Sequence, residues 1–238
     1  NINSFQLDSE ILLSEIIKKD RKFLILNYDK ELKKKTIENF DDLISQRSKG
    51  KPIAYLIKKK SFWKDTFEIT NDVLIPRPDT EIIIEEVLKL TKNKRNLKIL
   101  DIGVGSGCVL LSLLREKKNF TGVGIDISRK CIDLCRKNSI KLGLDKKVKL
   151  FNSDVDNFNY GKYDLIVSNP PYIKSCDLKY LDRDVVDFEP ITALDGGANG
   201  LSNILKVINK SSALVKINGK LVLEIGFGQK NDVKKILV

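Results

Sequence analysis

The stretch "LKILDIGVGSGCVLLSLLRE", residues 97–116, decides how this chain folds. A short apolar run leads into a turn with glycines at 103, 105 and 107, and the apolar positions that follow recur at helical spacing. Such a run reads as a buried strand, and the glycines let the backbone turn tightly with its N–H groups uncovered. Residues 109–116 then form a helix that starts at the turn.

The same alternation continues downstream, through "TGVGIDI", a helix over 129–142, "VKLFNSD", "YDLIVSNP", a helix over 201–215, "GKLVLEIG" and a helix from Gln229. Near-continuously apolar strands separated by helices imply a parallel sheet covered on both faces. An open sheet of this kind usually carries more strands, so a further piece is expected beyond Val238.

Upstream, residues 1–54 read as a small helical domain. The first helix is expected to be capped by Asp8 or Ser9, with apolar residues at 11, 12, 16 and 17, and a short helix covers 22–27. A third carries Leu32, Phe40, Leu43 and Ile44 and stops at Gly50 and Pro52. Residues 55–78 form a hairpin and linker: Phe62, Phe67 and Ile69 alternate with polar residues around a turn at Lys64-Asp65. Pro76 and Pro78 hold Ile75 and Arg77 extended before a helix capped by Asp79 or Thr80. The third region, 79–238, is the α/β domain.

Composition removes several chemistries. The chain has no histidine, which excludes Ser-His-Asp hydrolysis and His-ligated zinc. Cys108, Cys131, Cys135 and Cys176 lack metal-ligand spacing, so no metal is expected. No apolar run reaches the roughly 18 residues that span a bilayer, and a cytoplasmic protein with no membrane partner is the expectation. A net charge of +11 favours contact with polyanions, RNA or an RNA-bound partner among them.

The glycine turn is Asp101-Ile102-Gly103-Val104-Gly105-Ser106-Gly107, and Asp126 ends the next strand, placed to accept both hydroxyl protons of a ribose. The G-x-G-x-G spacing is not the G-x-G-x-x-G of dinucleotide sites, and no lysine waits for a triphosphate. D-x-G-x-G-x-G followed by that acid is the pattern of S-adenosylmethionine-dependent methyltransferases, which implies a Rossmann-like sheet. The donor would then contact Asp101, Gly103, Val104, Gly105, Ser106, Gly107, Asp126 and Asn169, with Asp154, ending the third strand, by the adenine amine and Val155 at the ring face.

Asn169-Pro170-Pro171-Tyr172 ends the fourth strand and so faces that donor. The prolines stiffen the corner. The Asn169 side-chain oxygen and the Pro170 carbonyl can each accept a proton from a planar NH₂, while Tyr172 packs against the flat group. Asn169, Pro170 and Tyr172 are the expected catalytic residues, with Pro171 completing the substrate corner. An amide nitrogen is a poor nucleophile because its lone pair is delocalised, and these bonds strengthen as the pair localises.

Together, "KPIAYLIKKKSFW", "VLIPRPDTE", "LDIGVGSG", "GIDIS", "VSNPPYI" and "FEPITALDGGANGL" resemble the HemK/PrmC family of release factor glutamine methyltransferases, over nearly the whole chain from about residue 50. Lys58 departs from it, where glycine is expected. The resemblance implies methylation of the side-chain nitrogen (N5) of the glutamine in the Gly-Gly-Gln loop of peptide chain release factors. The helical domain and hairpin would hold that protein, and the basic surface would suit a partner that works on the ribosome. Arg77 and Thr80 would lie near the donor's methionine end, or serve in local ion pairing and capping. Glu189 and Pro190 would shape the substrate rim or brace the loop, and Cys108 would pack. Because adenine and cytosine also present a planar NH₂, an N6-adenine or other amino-group methyltransferase acting on RNA or DNA is the alternative. A nucleoside-sensing protein without activity is the third reading.

Overall fold

The computed structural model describes residues 4–237. It opens with helices α1 (Phe5–Ile17), α2 (Arg21–Leu26), α3 (Lys34–Ser48) and α4 (Ile53–Ile57). Asp8 lies inside α1 rather than capping it. Its buried carboxylate accepts from the Arg47 Nε of α3 at 2.7 Å, because an acid taken out of water needs a partner. Asp20 does cap α2, accepting the Phe23 N–H at 2.9 Å. Gly50, with φ of +96°, ends the run after α3.

Strands β1 (Lys59–Phe62) and β2 (Asp65–Glu68) form the hairpin. Phe62 pairs with Asp65, so the turn is Trp63-Lys64 rather than Lys64-Asp65, and Trp63 takes a φ of +54°. Tertiary bonds hold it there: the Trp63 indole N–H donates to Glu116 Oε1 and its backbone N–H to Glu81 Oε1, both at 2.7 Å. Phe62 and Phe67 are buried edge to face beneath the turn. Arg77 is extended, as expected ahead of Pro78. A 3₁₀ turn, Pro78–Thr80, then leads into α5 (Glu81–Leu90), and neither Asp79 nor Thr80 caps it with its side chain.

The α/β domain runs β3 (Lys98–Ile102), α6 (Cys108–Glu116), β4 (Thr121–Asp126), α7 (Arg129–Lys141), β5 (Val148–Asn152), β6 (Tyr163–Ser168), α8 (Arg183–Val186), α9 (Ser202–Leu214), β7 (Val215–Leu223) and α10 (Lys230–Ile236). All five strands are parallel, in the order β5-β4-β3-β6-β7. Leu110, Leu113 and Leu114 fill one face with Ile84 and Val87, and Leu100, Val123, Ile166 and Val207 fill the other. Burying each such side chain contributes roughly 1.5–3 kcal/mol. Asp154 sits two residues past β5 rather than at its end, and β7 begins at Val215, ahead of the expected "GKLVLEIG". Among the described residues no helix is long and apolar enough to cross a membrane.

The chain winds from β3 to β5 on one side and returns to β6 and β7 on the other. The order therefore reverses between β3 and β6, which opens a crevice beyond their carboxyl ends.

Lys58 closes α4 in the left-handed region at φ 56°, a conformation that glycine adopts without crowding a Cβ. Lys58→Gly is expected to raise stability by about 0.5–1 kcal/mol, the left-handed penalty less the chain entropy of glycine, read as a higher midpoint in urea unfolding.

Candidate active site

The crevice is a cleft of about 800 Å³, lined by the turn after β3, the ends of β4 and β6, the linker and the loop before α9. A smaller, more open depression of about 450 Å³ beside Lys18, Lys19 and Arg21 lies among the first helices, away from the sheet.

The glycine turn is held by its neighbour strand, since the N–H groups of Gly103 and Val104 both donate to the Ile125 carbonyl at 2.9 Å. Gly103 and Gly105 take φ of +79° and +52°, and where a Cβ would stand at either there is open space. They form a cradle against which a ligand can lie. Gly107 serves differently: a Cβ there would come within 2.6 Å of Cys135 Sγ, so this glycine admits α7 to the turn. Ser106 is buried, and its carbonyl accepts from Asn138 Nδ2 at 2.8 Å. Asn138 also exchanges two hydrogen bonds with the Glu68 backbone, tying the hairpin to the turn.

Asp126 Oδ2 accepts the Gly105 N–H and Oδ1 the Ser128 N–H, each at 2.9 Å. Each oxygen keeps a lone pair for a further donor. Burial pushes this carboxyl above its ordinary range. Asp101 is buried with Oδ2 unpartnered; burial, with the charge of Asp126 adding to it, pushes it up to about 7. Asp154 and Val155 line the same cleft, and Asp154 Oδ1 accepts the Asp156 N–H at 2.8 Å. Cys108 also borders it, with burial pushing its thiol up to about 12.

Asn169, Pro170 and Pro171 form the opposite wall. Ser168 Oγ donates to the Ile102 carbonyl at 2.7 Å and so fixes this corner against the glycine turn. Asn169 Nδ2 donates to Thr80 Oγ1 at 3.0 Å, which leaves Oδ1 as the uncommitted end of the carboxamide. The Tyr172 ring packs with Ile204, Ile208 and Val233 rather than lining the cleft, and its hydroxyl donates to Glu224 Oε1 at 3.1 Å. Burial, with Glu224 beside it, pushes that phenol up to about 12. Glu189 braces rather than lines: it accepts from Arg77 and from the Ile75 N–H at 3.0 Å, while Pro190 reaches the cleft.

Sequence reasoning missed Glu224, Asn138 and the pinning role of Thr80. The available signal for Glu224 was an acid directly after the apolar run of β7, much as Asp126 closes the apolar run of β4.

A parallel sheet with an open glycine cradle after β3 and an acid at the end of β4 defines an S-adenosylmethionine-dependent methyltransferase of the Rossmann-like class. Two family models match: "PrmC N-terminal domain" over residues 1–57 and "Methyltransferase small domain" over residues 79–182. The chain belongs to the release factor glutamine methyltransferase family: proteins of that name from Clostridium acetobutylicum and from Buchnera aphidicola subsp. Acyrthosiphon pisum are each 38% identical, over 100% and 98% of this chain and 84% and 83% of theirs. Among solved structures, the ribosomal protein L11 methylase from Lactobacillus delbrueckii subsp. bulgaricus shares the fold, with a TM-score of 0.51 at 16% identity over 75% of this chain and 77% of that one.

A raised carboxyl pKa means that the folded state binds a proton more tightly than the unfolded chain does. Asp101 therefore opposes folding increasingly as pH rises from the ordinary carboxylate range through about 7. Without ligand, Asp101→Asn should be more stable than the parent at pH 8, and the gap should narrow by roughly 2 kcal/mol at pH 5, as denaturant melts at the two pH values will show.

Proposed function

We propose that this protein transfers the methyl group of S-adenosylmethionine to the side-chain amide nitrogen (N5) of the glutamine in the Gly-Gly-Gln motif of peptide chain release factors, in the cytoplasm. The observation that carries the reading is the Asn169-Pro170 corner, stapled to the glycine turn within a chain that has this family's helical domain and linker.

The open space at Gly103 and Gly105 and the free lone pairs of Asp126 suit an adenosyl ligand, and these two features are the basis for assigning it to the cleft. Gly103, Val104, Gly105 and Ser106 would hold its methionine part beside Asp101, and Asp126 its ribose hydroxyls. Asp154 would take its adenine amine and Val155 the ring face. When bound, the donor supplies an electrophilic methyl carried on a sulfonium.

The chain's own residues prepare the nucleophile. Asn169 Oδ1 and the Pro170 carbonyl each accept one proton of the glutamine NH₂, fixing its plane and aiming the nitrogen across the cleft. As that nitrogen becomes tetrahedral its protons grow more acidic, so both bonds strengthen towards the transition state and lower the barrier, and one of the two protons then passes to water at the mouth of the cleft to leave the neutral N-methyl amide. Pro170 and Pro171 restrict the backbone, so little ordering is left to the reaction itself. Tyr172 supports this corner from behind through its hydroxyl and ring. The α1–α4 module and the hairpin would grip the protein substrate, and the basic surface suits a partner that works on the ribosome.

The test combines wild-type protein, methyl-labelled donor and, separately, a release factor, ribosomal RNA and duplex DNA. Label should appear in the glutamine peptide of the release factor, whereas label in adenine of RNA or DNA would move the assignment to the nucleic-acid class. Asn169→Ala should lower kcat about 100-fold or more with donor affinity held, since an orienting contact is lost. Asp126→Ala should weaken donor binding first, and calorimetry that finds the opposite division refutes these roles.

A further inference from the structure

We propose that Glu224 is a positioning residue that, through Thr80 and Tyr172, holds the Asn169 carboxamide in the one orientation that offers an acceptor to the substrate. This rests on the amide methylation proposed above, because only a substrate NH₂ needs an acceptor at that point.

Glu224 directly follows β7, and its backbone N–H donates to the Ser168 carbonyl at 3.0 Å, which seats it beside Asn169. Its carboxyl accepts the Tyr172 hydroxyl at 3.1 Å through Oε1; burial pushes this carboxyl above its ordinary range, and the Thr80 hydroxyl, the Tyr172 hydroxyl and the Asn169 amide beside it offset part of that push by favouring the charged form. Oε2 is buried without a hydrogen-bond partner, and among the described residues no lysine or arginine pairs with this acid. A half-buried carboxyl with one oxygen shut off from both water and partners is costly, and its presence calls for a reason.

The reason lies in the direction of the hydrogen bonds. A carboxamide is nearly symmetric in shape, so packing alone barely distinguishes its oxygen from its NH₂. An ionised carboxylate only accepts. With Glu224 charged, the Thr80 proton is drawn towards it, Thr80 Oγ1 is left as an acceptor, and it takes the Asn169 N–H at 3.0 Å. A flipped Asn169 would press its oxygen against two acceptors, Thr80 Oγ1 and the Glu224 carboxyl. The Asn169 oxygen is thereby kept for the cleft. Glutamine at 224 would fit the same space and relieve the buried charge, but it can donate as well as accept and so fixes no direction.

This separates positioning from mere support. Glu224→Gln should unfold at the wild-type temperature or above it, bind donor within about twofold, leave KM for the release factor unchanged, and lower kcat about tenfold. Thr80→Val should lower kcat by a similar factor, and the double variant should be no slower than the worse single one, because both cut one relay. Full kcat in Glu224→Gln, or losses that multiply in the double variant, would overturn the proposal. A second readout does not depend on turnover: the Asn169 side-chain ¹⁵NH₂ signals, identified by their absence in Asn169→Ala, should exchange with water at least about fivefold faster in both single variants. Unchanged exchange sinks the relay even if release factors are methylated. Faster exchange in a protein whose wild type labels no release factor would leave the relay standing and remove the functional reading instead.

Discussion

Two hydrogen bonds at the carboxyl end of β6 hold the working edge of this molecule together: Ser168 Oγ to the Ile102 carbonyl on one side, and the Glu224 N–H to the Ser168 carbonyl on the other. The first is a side-chain tie across the last β3–β6 pair, where the strand order reverses, and the second carries the β6–β7 ladder one residue past β7. Without them the chain after β6 would be a loop end. With them, Asn169 sits at a fixed height between the glycine turn and the end of β7. Because Pro170 and Pro171 have no N–H to give, the ladder stops there and the backbone carbonyls stay available to a ligand.

The helical module is tied into the same edge through the linker. Arg77 and Ile75 both bond to Glu189, Trp63 bridges to Glu81 and Glu116, and Asn138 joins the hairpin to the glycine turn. Thr80 closes this circuit, because it ends the 3₁₀ turn that follows the linker and binds the Asn169 carboxamide. The linker and hairpin thus join a network that reaches the Asn169 corner. Contacts made far from the chemistry can be spent on orientation in this way.

The sheet was legible in residues 97–226 because each strand is a short apolar run and each helix has an apolar stripe, and those two signals are local. The cleft was legible for a related reason: glycines and prolines declare backbone needs that do not depend on the rest of the fold. What escaped is what depends on distant partners. Asp8 resembles a helix cap until Arg47, thirty-nine residues on, claims it. Trp63 is an unlikely turn residue by propensity, and it takes that place because Glu81 and Glu116 bind it. Tyr172 next to two prolines suggests a lid over a flat group. Its ring turns instead towards Ile204 and Val233, elements whose position only the fold decides. Gly107 reads as one of three equal glycines, and the closeness of Cys135 alone gives it a separate duty.

The cleft carries a charge opposite to that of its owner. The chain has a net charge of +11, yet the cleft interior presents Asp101 and Asp126, neither in an ion pair among the described residues and both pushed towards the neutral form by burial. The cations that border it are already engaged, Arg77 with Glu189, Lys130 with Asp72 and Lys206 with Asp156. An unpaired acid held in a partly dry cavity costs stability in the free protein, and a cationic ligand returns that cost on binding. A donor bearing a sulfonium and an ammonium is such a ligand.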